Sequence, residues 1–357
     1  MRLALQLWTI GTPLAACALV IATWGRPLGW LVLAVIAAAL IAAVFVAVHH
    51  AEVVAHRVGE PFGTLVLALA ITVIETSLLV SMMVAGGPGA KEIARDTLFA
   101  TVMIICNGVI GLSLLVGSLR HHVVEFRVDG TSPALSVLAA LTAMTLVLPS
   151  LTTTTPGPEY SQAQLIFAGV MSLVLYSVFV FVQTVRHRDY FLSVGLAEEE
   201  HASVPTIGAA LASLALLFLS LIAVVGLSKT LSPAISAAVQ AARAPAAVVG
   251  IVIALIVLLP ETFAALRAAA RNRMQTSLNL ALGSALASIG LTIPAVAAAA
   301  IVLGQRLALG LSAKETALLA ITLLISAVTL VGGRATVLQG AVHLVIFLAF
   351  LFLSVVP

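Results

Sequence analysis

Charge is what this sequence has least of. Only 9% of its 357 residues are Asp, Glu, Lys or Arg, against 62% that are hydrophobic. A soluble domain carries about 25% charged residues, so this chain cannot clothe a water-facing surface, and a water-soluble fold is excluded. Cysteine is as scarce. Cys17 and Cys106 lie far apart inside apolar stretches, which rules out a disulfide framework and reads as two buried thiols. Low-complexity runs and collagen-like periods are absent, and disordered or fibrous classes go with them. No GxSxG elbow, P-loop or CxxC occurs, so nothing signals a hydrolase, nucleotide-driven transport or thiol redox chemistry, and the chain reads as no enzyme. Nor is there a basic tract. The net charge of +3 is spread over many short loops, which suits lipid-facing loops and gives no nucleic-acid footprint.

What the chain has is apolar length. A spanning helix needs about 20 apolar residues. Segments of that kind fall at about residues 3–23, 28–48, 62–86, 95–119, 133–150, 161–185, 206–229, 245–268, 274–303, 313–331 and 336–355. The runs are continuously apolar, whereas outer-membrane strands alternate, so they read as helices. The expectation is an all-α polytopic membrane protein of about 11 transmembrane helices, its partner the lipid bilayer. Arg2 followed by an apolar run resembles a signal peptide, but because span follows span it reads as a first transmembrane helix.

Loop charge sets the orientation. Ten of the 17 Lys and Arg fall in the N-terminus and the even-numbered loops, so positive-inside bias puts the N-terminus in the cytoplasm, with the chain in the inner (plasma) membrane. One loop, RHRDYFLSVGLAEEEH at 186–201, carries Glu198, Glu199 and Glu200. It divides the chain into an extra N-terminal helix (1–25), a first five-helix unit (26–185), an acidic cytoplasmic loop (186–205) and a second five-helix unit (206–357). Five spans is an odd number, so duplicated halves must be inverted repeats, as in many secondary transporters. A matched spacing supports duplication: Arg57 precedes Glu75 by 18 positions, and Arg243 precedes Glu261 by 18.

Those two glutamates carry the functional reading. An acid at the bilayer centre costs about 2.5–3.5 kcal/mol on insertion scales. Glu75 and Glu261 sit well inside apolar runs, which points to a proton or cation site; the alternative is a structural carboxyl hydrogen-bonded to another helix. Pro260 precedes Glu261 and removes the donor that the Ile256 carbonyl would have met, leaving that oxygen as a candidate cation ligand. Ser277, Ser284 and Ser288 recur on one helical face. The counterpart span has Thr97, Thr101 and Asn107, and Thr72 lies on the face of Glu75. Thr72, Asn107, Ser284 and Ser288 are the candidate auxiliary ligands, although small and hydroxyl residues also form the ordinary packing surface of helices in lipid. His49, His50, Glu52, His56 and Glu60 cluster between two spans without an HExxH pattern and read as an interfacial segment. His343 reads as a packed core histidine.

On these residues the chain resembles the calcium/cation antiporter superfamily, in particular its bacterial calcium/proton (sodium/proton) antiporter branch. The resemblance runs through HAEVVAHRVGEPFGTLVLALAITVIETSLL, through LLPETFAALRAAARNRMQTSLNLALGSALASIGLTIP and through the tail GRATVLQGAVHLVIFLAFLF. It implies Ca²⁺/H⁺ exchange by alternating access, with Glu75 and Glu261 binding the transported cation and protons and no cofactor. It also implies that Glu198–Glu200 form a regulatory acidic segment. Many proton-coupled members carry Gly-Asn-Ala before each motif acid. Here Thr72-Val73-Ile74 and Leu258-Leu259-Pro260 stand in those places, which bears on ion selectivity. A Na⁺/H⁺ or K⁺/H⁺ antiporter on the same acids is the alternative; a membrane-embedded enzyme or a proton-conducting subunit is remoter.

Overall fold

In lipid, a backbone has no water to bond, so long apolar runs satisfy their N–H and C=O groups as helix. The computed structural model describes residues 2–59, 62–86, 89–191, 205–242 and 244–356. Among these residues the chain forms eleven helical rods: α1 Arg2–Thr23, α2 Trp30–Val58, α3 Phe62–Ala85, α4 Ile93–His121, α5 Val128–Ser150, α6 Gln162–Arg186, α7 Ile207–Ala241, α8 Ala247–Ala270, α9 Met274–Leu303, α10 Ala313–Val331 and α11 Val337–Val355. Ten of them are long and apolar enough to cross a membrane, and α1 contributes a shorter apolar stretch, Trp8–Thr23. The third rod of each sequence half departs from α geometry at its middle: α4 makes a π-helical turn at Ile104–Val109, and α9 one at Ser288–Thr292. The acidic run Glu198, Glu199 and Glu200 lies outside the described residues.

Two boundaries differ from the sequence expectation by about ten residues or more. The histidine segment is no separate interfacial piece but the last turns of α2, which runs on to Val58. His50 is buried, and its Nε2–H donates to the Thr9 carbonyl oxygen at 3.0 Å. Helix α7 does not stop at Lys229 but continues through Pro233 to Ala241.

The rods gather into two compact units, each drawing on both halves of the sequence. One contains α1, α2, α3 and α7. There α2 packs chiefly on α7 and α3, and α1 lies along α7.

The other unit contains α4–α6 and α8–α11, and its loops show the up-and-down course of the chain. At one end, β1 (Val124–Glu125) pairs antiparallel with β2 (Arg334–Ala335), joining the α4–α5 and α10–α11 loops. Arg120 Nη1 donates to the Ala270 carbonyl (3.4 Å) and Arg127 Nη1 to the Asp189 carbonyl (2.8 Å) at that same end. At the other end, Ala308 N–H donates to Lys91 O (3.1 Å) and Gly310 N–H to Pro158 O (3.0 Å). Even-numbered loops thus meet even ones and odd meet odd, as alternating spans require. Helix α11 lies close against α4, because a Cβ on Gly111 would fall 2.9 Å from the His343 Cβ and one on Gly340 2.7 Å from the Leu115 nitrogen. Small residues at such crossings let helix backbones approach in lipid.

Candidate functional site

The two sequence-predicted acids belong to different units. In the first, Glu75 sits in the middle of α3 and is 1% exposed. Thr72, one turn earlier, is buried too, but its hydroxyl donates to the Ala68 carbonyl at 2.8 Å. That bond inside its own helix uses the proton of Thr72 and leaves its oxygen lone pairs, so it remains a ligand only as an acceptor.

In the second unit Glu261 sits on α8, with both carboxylate oxygens shut off from solvent. Helix α8 passes through Pro260 without a break. Proline has no N–H, so the Ile256 carbonyl has no donor four residues on. The depth of Glu261 follows from two close approaches. A Cβ on Gly250 would fall 2.7 Å from the Thr97 nitrogen, at the start of α4, and one on Gly117 would fall 3.6 Å from the Ala269 carbonyl oxygen. Helices α8 and α4 therefore run side by side and in the same direction. Glu261 lies eleven residues beyond Gly250, and Asn107 lies eleven beyond Asp96, the neighbour of Thr97. At 1.5 Å per residue each is displaced by about 16 Å, which brings them to one level.

Helix α9 enters the same level from the opposite side. A Cβ on Gly117 would fall 2.8 Å from the Met274 Cε. Ser284 is ten residues after Met274, and Asn107 is ten before Gly117. Glu261, Asn107 and Ser284 thus share a depth, with the π-helical turns of α4 and α9 beside it. Such turns are frequent at functional sites, because they break the regular hydrogen-bond ladder.

Two sets of hydroxyls in this unit contrast. Thr142, Thr145, Ser172 and Thr262 donate to the carbonyl four residues back, at 2.7–2.9 Å. Ser277, Ser284, Ser288 and Thr97 do not. All four are buried, and their hydroxyls have no hydrogen-bond partner among the described residues. A buried unsatisfied hydroxyl costs about 1–3 kcal/mol, so a row of them asks for a function.

Asn107 is different. It is fully buried, donates from Nδ2 to Thr322 Oγ1 at 2.9 Å, and presents Oδ1 to His343 Nδ1 at 3.3 Å. His343 Nε2 in turn lies 3.1 Å from Thr329 Oγ1. His343 is buried, as expected of a core residue, but both ring nitrogens are engaged. Nothing in the residue spacing signals the string Thr322–Asn107–His343–Thr329.

A further buried acid escaped the sequence reading. Asp96 is 5% exposed and accepts from Arg95 at 2.8 Å, while Arg95 Nη1 also reaches the Gly310 carbonyl at 3.4 Å. Asp96 stands beside an arginine at the very start of the apolar run 95–119, where a charge draws no notice. No group of three or more His, Cys, Asp or Glu close enough to share a metal ion occurs among the described residues.

Comparison with known proteins agrees with this architecture. A family profile described as sodium/calcium exchanger protein matches residues 28–185 and 212–356. The protein y4hA of Sinorhizobium fredii, named as an ionic transporter, is 48% identical over 354 residues, covering 98% of this chain and 96% of that one. The sodium-potassium/proton antiporter ChaA of Escherichia coli is 33% identical over 316 residues, covering 87% and 85%. The crystal structure of the Ca²⁺/H⁺ antiporter protein YfkE superposes with a TM-score of 0.74 at 17% identity, covering 98% of this chain and 99% of that one, a likeness of fold.

Proposed function

The chain belongs to the sodium/calcium exchanger protein family, and from that premise we propose that it is a secondary transporter exchanging Ca²⁺ for protons by alternating access. In this reading Glu75 and Glu261 are the carboxylates that take up cation and protons. It works in the bacterial inner membrane with its N-terminus in the cytoplasm. The observation that carries the reading is the depth of Glu261: a carboxylate removed from solvent, level with Asn107 and with Ser284, whose hydroxyl has no partner among the described residues.

The chemistry follows from charge. Two carboxylates balance one divalent cation, and two protons balance the same pair, so either load crosses neutral. Crossing with neither load would carry two buried negative charges through lipid, which is costly. That penalty enforces exchange. Ca²⁺ takes six to eight oxygens in flexible geometry, so hydroxyls and the Ile256 carbonyl supplement the carboxylates.

A monovalent reading is favoured by one observation, the 33% identity to a sodium-potassium/proton antiporter. One Na⁺ or K⁺ with one proton balances the same two acids. Everted vesicles holding a preformed pH gradient separate the readings when Ca²⁺, Na⁺ and K⁺ are added side by side. Collapse of the gradient by Ca²⁺ supports the first reading, and collapse by Na⁺ or K⁺ alone supports the second. If all three leave the gradient intact across pH 6–9, antiport is wrong. Glu75→Gln and Glu261→Gln are each expected to abolish exchange in a folded, inserted protein, since Gln keeps volume and removes the charge and the proton. A well-folded Gln variant that still exchanges at the wild-type rate removes that residue from the mechanism.

A further inference from the structure

In the unit made of α1, α2, α3 and α7, a cleft of about 430 Å³ opens where the α1–α2 loop meets α7. Arg26 and Lys229 both line it, together with Trp24, Leu28, Leu33 and Pro233. No carboxylate is among its lining residues in the described part of the chain. Neither Arg26 nor Lys229 belongs to either ion pair seen among the described residues, Arg95–Asp96 and Arg306–Glu159, so both cations of the cleft stand without a countercharge there. Lys229 Nζ lies 4.9 Å from the centroid of the Trp24 ring.

The depth of the cleft is set by the same residues. Lys229 is the twenty-third residue of α7, about 34 Å along the helix, whereas the hydrocarbon core of a bilayer is about 30 Å thick. With the start of α7 at one interface, Lys229 arrives at the other. The chain has three tryptophans, and two of them, Trp24 and Trp30, flank the α1–α2 loop with 58% and 76% exposure. Exposed tryptophans mark the headgroup layer. From this rim, exposed apolar side chains continue along the rods: Ile21 on α1, Leu31 and Val35 on α2.

We propose that this cleft binds the phosphate of an anionic phospholipid, with Arg26 and Lys229 on the phosphate oxygens and the acyl chains lying along Ile21, Leu31 and Val35. Arginine and lysine differ usefully here. The guanidinium offers a planar fork to two phosphate oxygens, and the ammonium, held over Trp24, adds a point charge. The volume is of the order seen for small-molecule sites, about 300–1,000 Å³. A free phosphate offers the same oxygens but no chains for the apolar track, so the lipid is the favoured source.

The test uses the full-length protein, stripped of lipid in detergent and titrated with phosphatidylglycerol, phosphatidylcholine or inorganic phosphate. Thermal midpoint and native mass spectrometry are the readouts. Wild type is expected to gain stability and retain bound lipid with phosphatidylglycerol only. Arg26→Gln/Lys229→Gln is expected to bind it roughly 30-fold more weakly, the ratio that two cations near a bilayer surface are worth. The charge-matched Arg186→Gln/Arg188→Gln is expected to behave as wild type, and high salt is expected to weaken the effect. Equal binding by wild type and the Arg26/Lys229 variant overturns the site, as does equal loss in both double variants. A response to inorganic phosphate equal to that to phosphatidylglycerol overturns the lipid as its ligand. Should the double variant fold poorly, Trp24→Leu, which removes the ring beneath Lys229 and no charge, is expected to lower affinity as well, and unchanged affinity in it counts against the site.

Discussion

His343 on the last helix holds the side-chain amide of Asn107 on α4: Nδ1 lies 3.3 Å from Oδ1, across 236 positions of sequence. Because Asn107 donates from Nδ2 to Thr322 at 2.9 Å, its Oδ1 is the acceptor facing His343. The imidazole therefore carries its proton on Nδ1 and accepts the Thr329 hydroxyl on Nε2. The bond orients an amide that shares its level with Glu261, and leaves Oδ1 one further lone pair.

His343→Ala is expected to lower stability by about 1–3 kcal/mol, since it leaves two buried partners unsatisfied. It is also expected to raise the apparent KM for the transported cation more than it lowers the maximal rate. His343→Gln, which keeps a donor near Oδ1, is expected to restore the KM in part even where the thermal midpoint stays low. A KM unmoved in a well-folded His343→Ala protein would make the histidine a packing residue only. Thermal unfolding and vesicle exchange on the same preparations check both halves.

Asp96 is expected to behave oppositely. It lies at the start of α4, eleven residues from the Glu261 level, and its carboxylate is committed to Arg95. Breaking a fully buried pair costs about 3–5 kcal/mol, and the 16% exposure of the Arg95 side chain lowers the expectation for Asp96→Asn to about 1–3 kcal/mol. Cation affinity is expected to stay at the wild-type value. An affinity that falls tenfold or more in a stable Asp96→Asn protein would place this acid among the ion ligands.

Why some of this was legible in the sequence and some not comes down to periodicity. Long apolar runs declare helices, because lipid leaves the backbone no other solution; hence the eleven rods stand where hydropathy puts them. Glu75 and Glu261 were legible as charges deep in apolar runs, and the Ser277–Ser284–Ser288 face as a repeat of seven and four. Asp96 was hidden by its own partner, since Arg beside Asp at the very start of an apolar run draws no notice. The length of α7 was hidden likewise: Lys229 and Pro233 read as a stop, yet the helix continues through both. Single long-range contacts such as Asn107–His343 have no period at all, so only the packing of α11 on α4 through Gly111 reveals them.

The serines of α9 separate packing from ligation. Were Ser277, Ser284 and Ser288 packing residues, replacing each by Ala would leave exchange untouched. All three hydroxyls are buried without partners among the described residues, so removing one relieves a cost of about 1–3 kcal/mol and the thermal midpoint is expected to hold or rise. Cation affinity is expected to move differently along the helix. Ser284 stands at the Glu261 level, and Ser284→Ala is expected to weaken apparent affinity about fivefold to tenfold, the worth of one neutral oxygen contact of about 1 kcal/mol or slightly more. Ser288 lies four residues on, about 6 Å along the axis, within reach of a cation's outer ligands, so a smaller loss is expected. Ser277 lies seven residues before Ser284, about 10 Å away, and Ser277→Ala is expected to leave affinity unchanged, which makes it the internal control. Stability and affinity thus move in opposite directions at Ser284, a pattern no packing role produces. Equal affinities in all three variants, or an equal fall at Ser277 and Ser284, would remove α9 from the ion path.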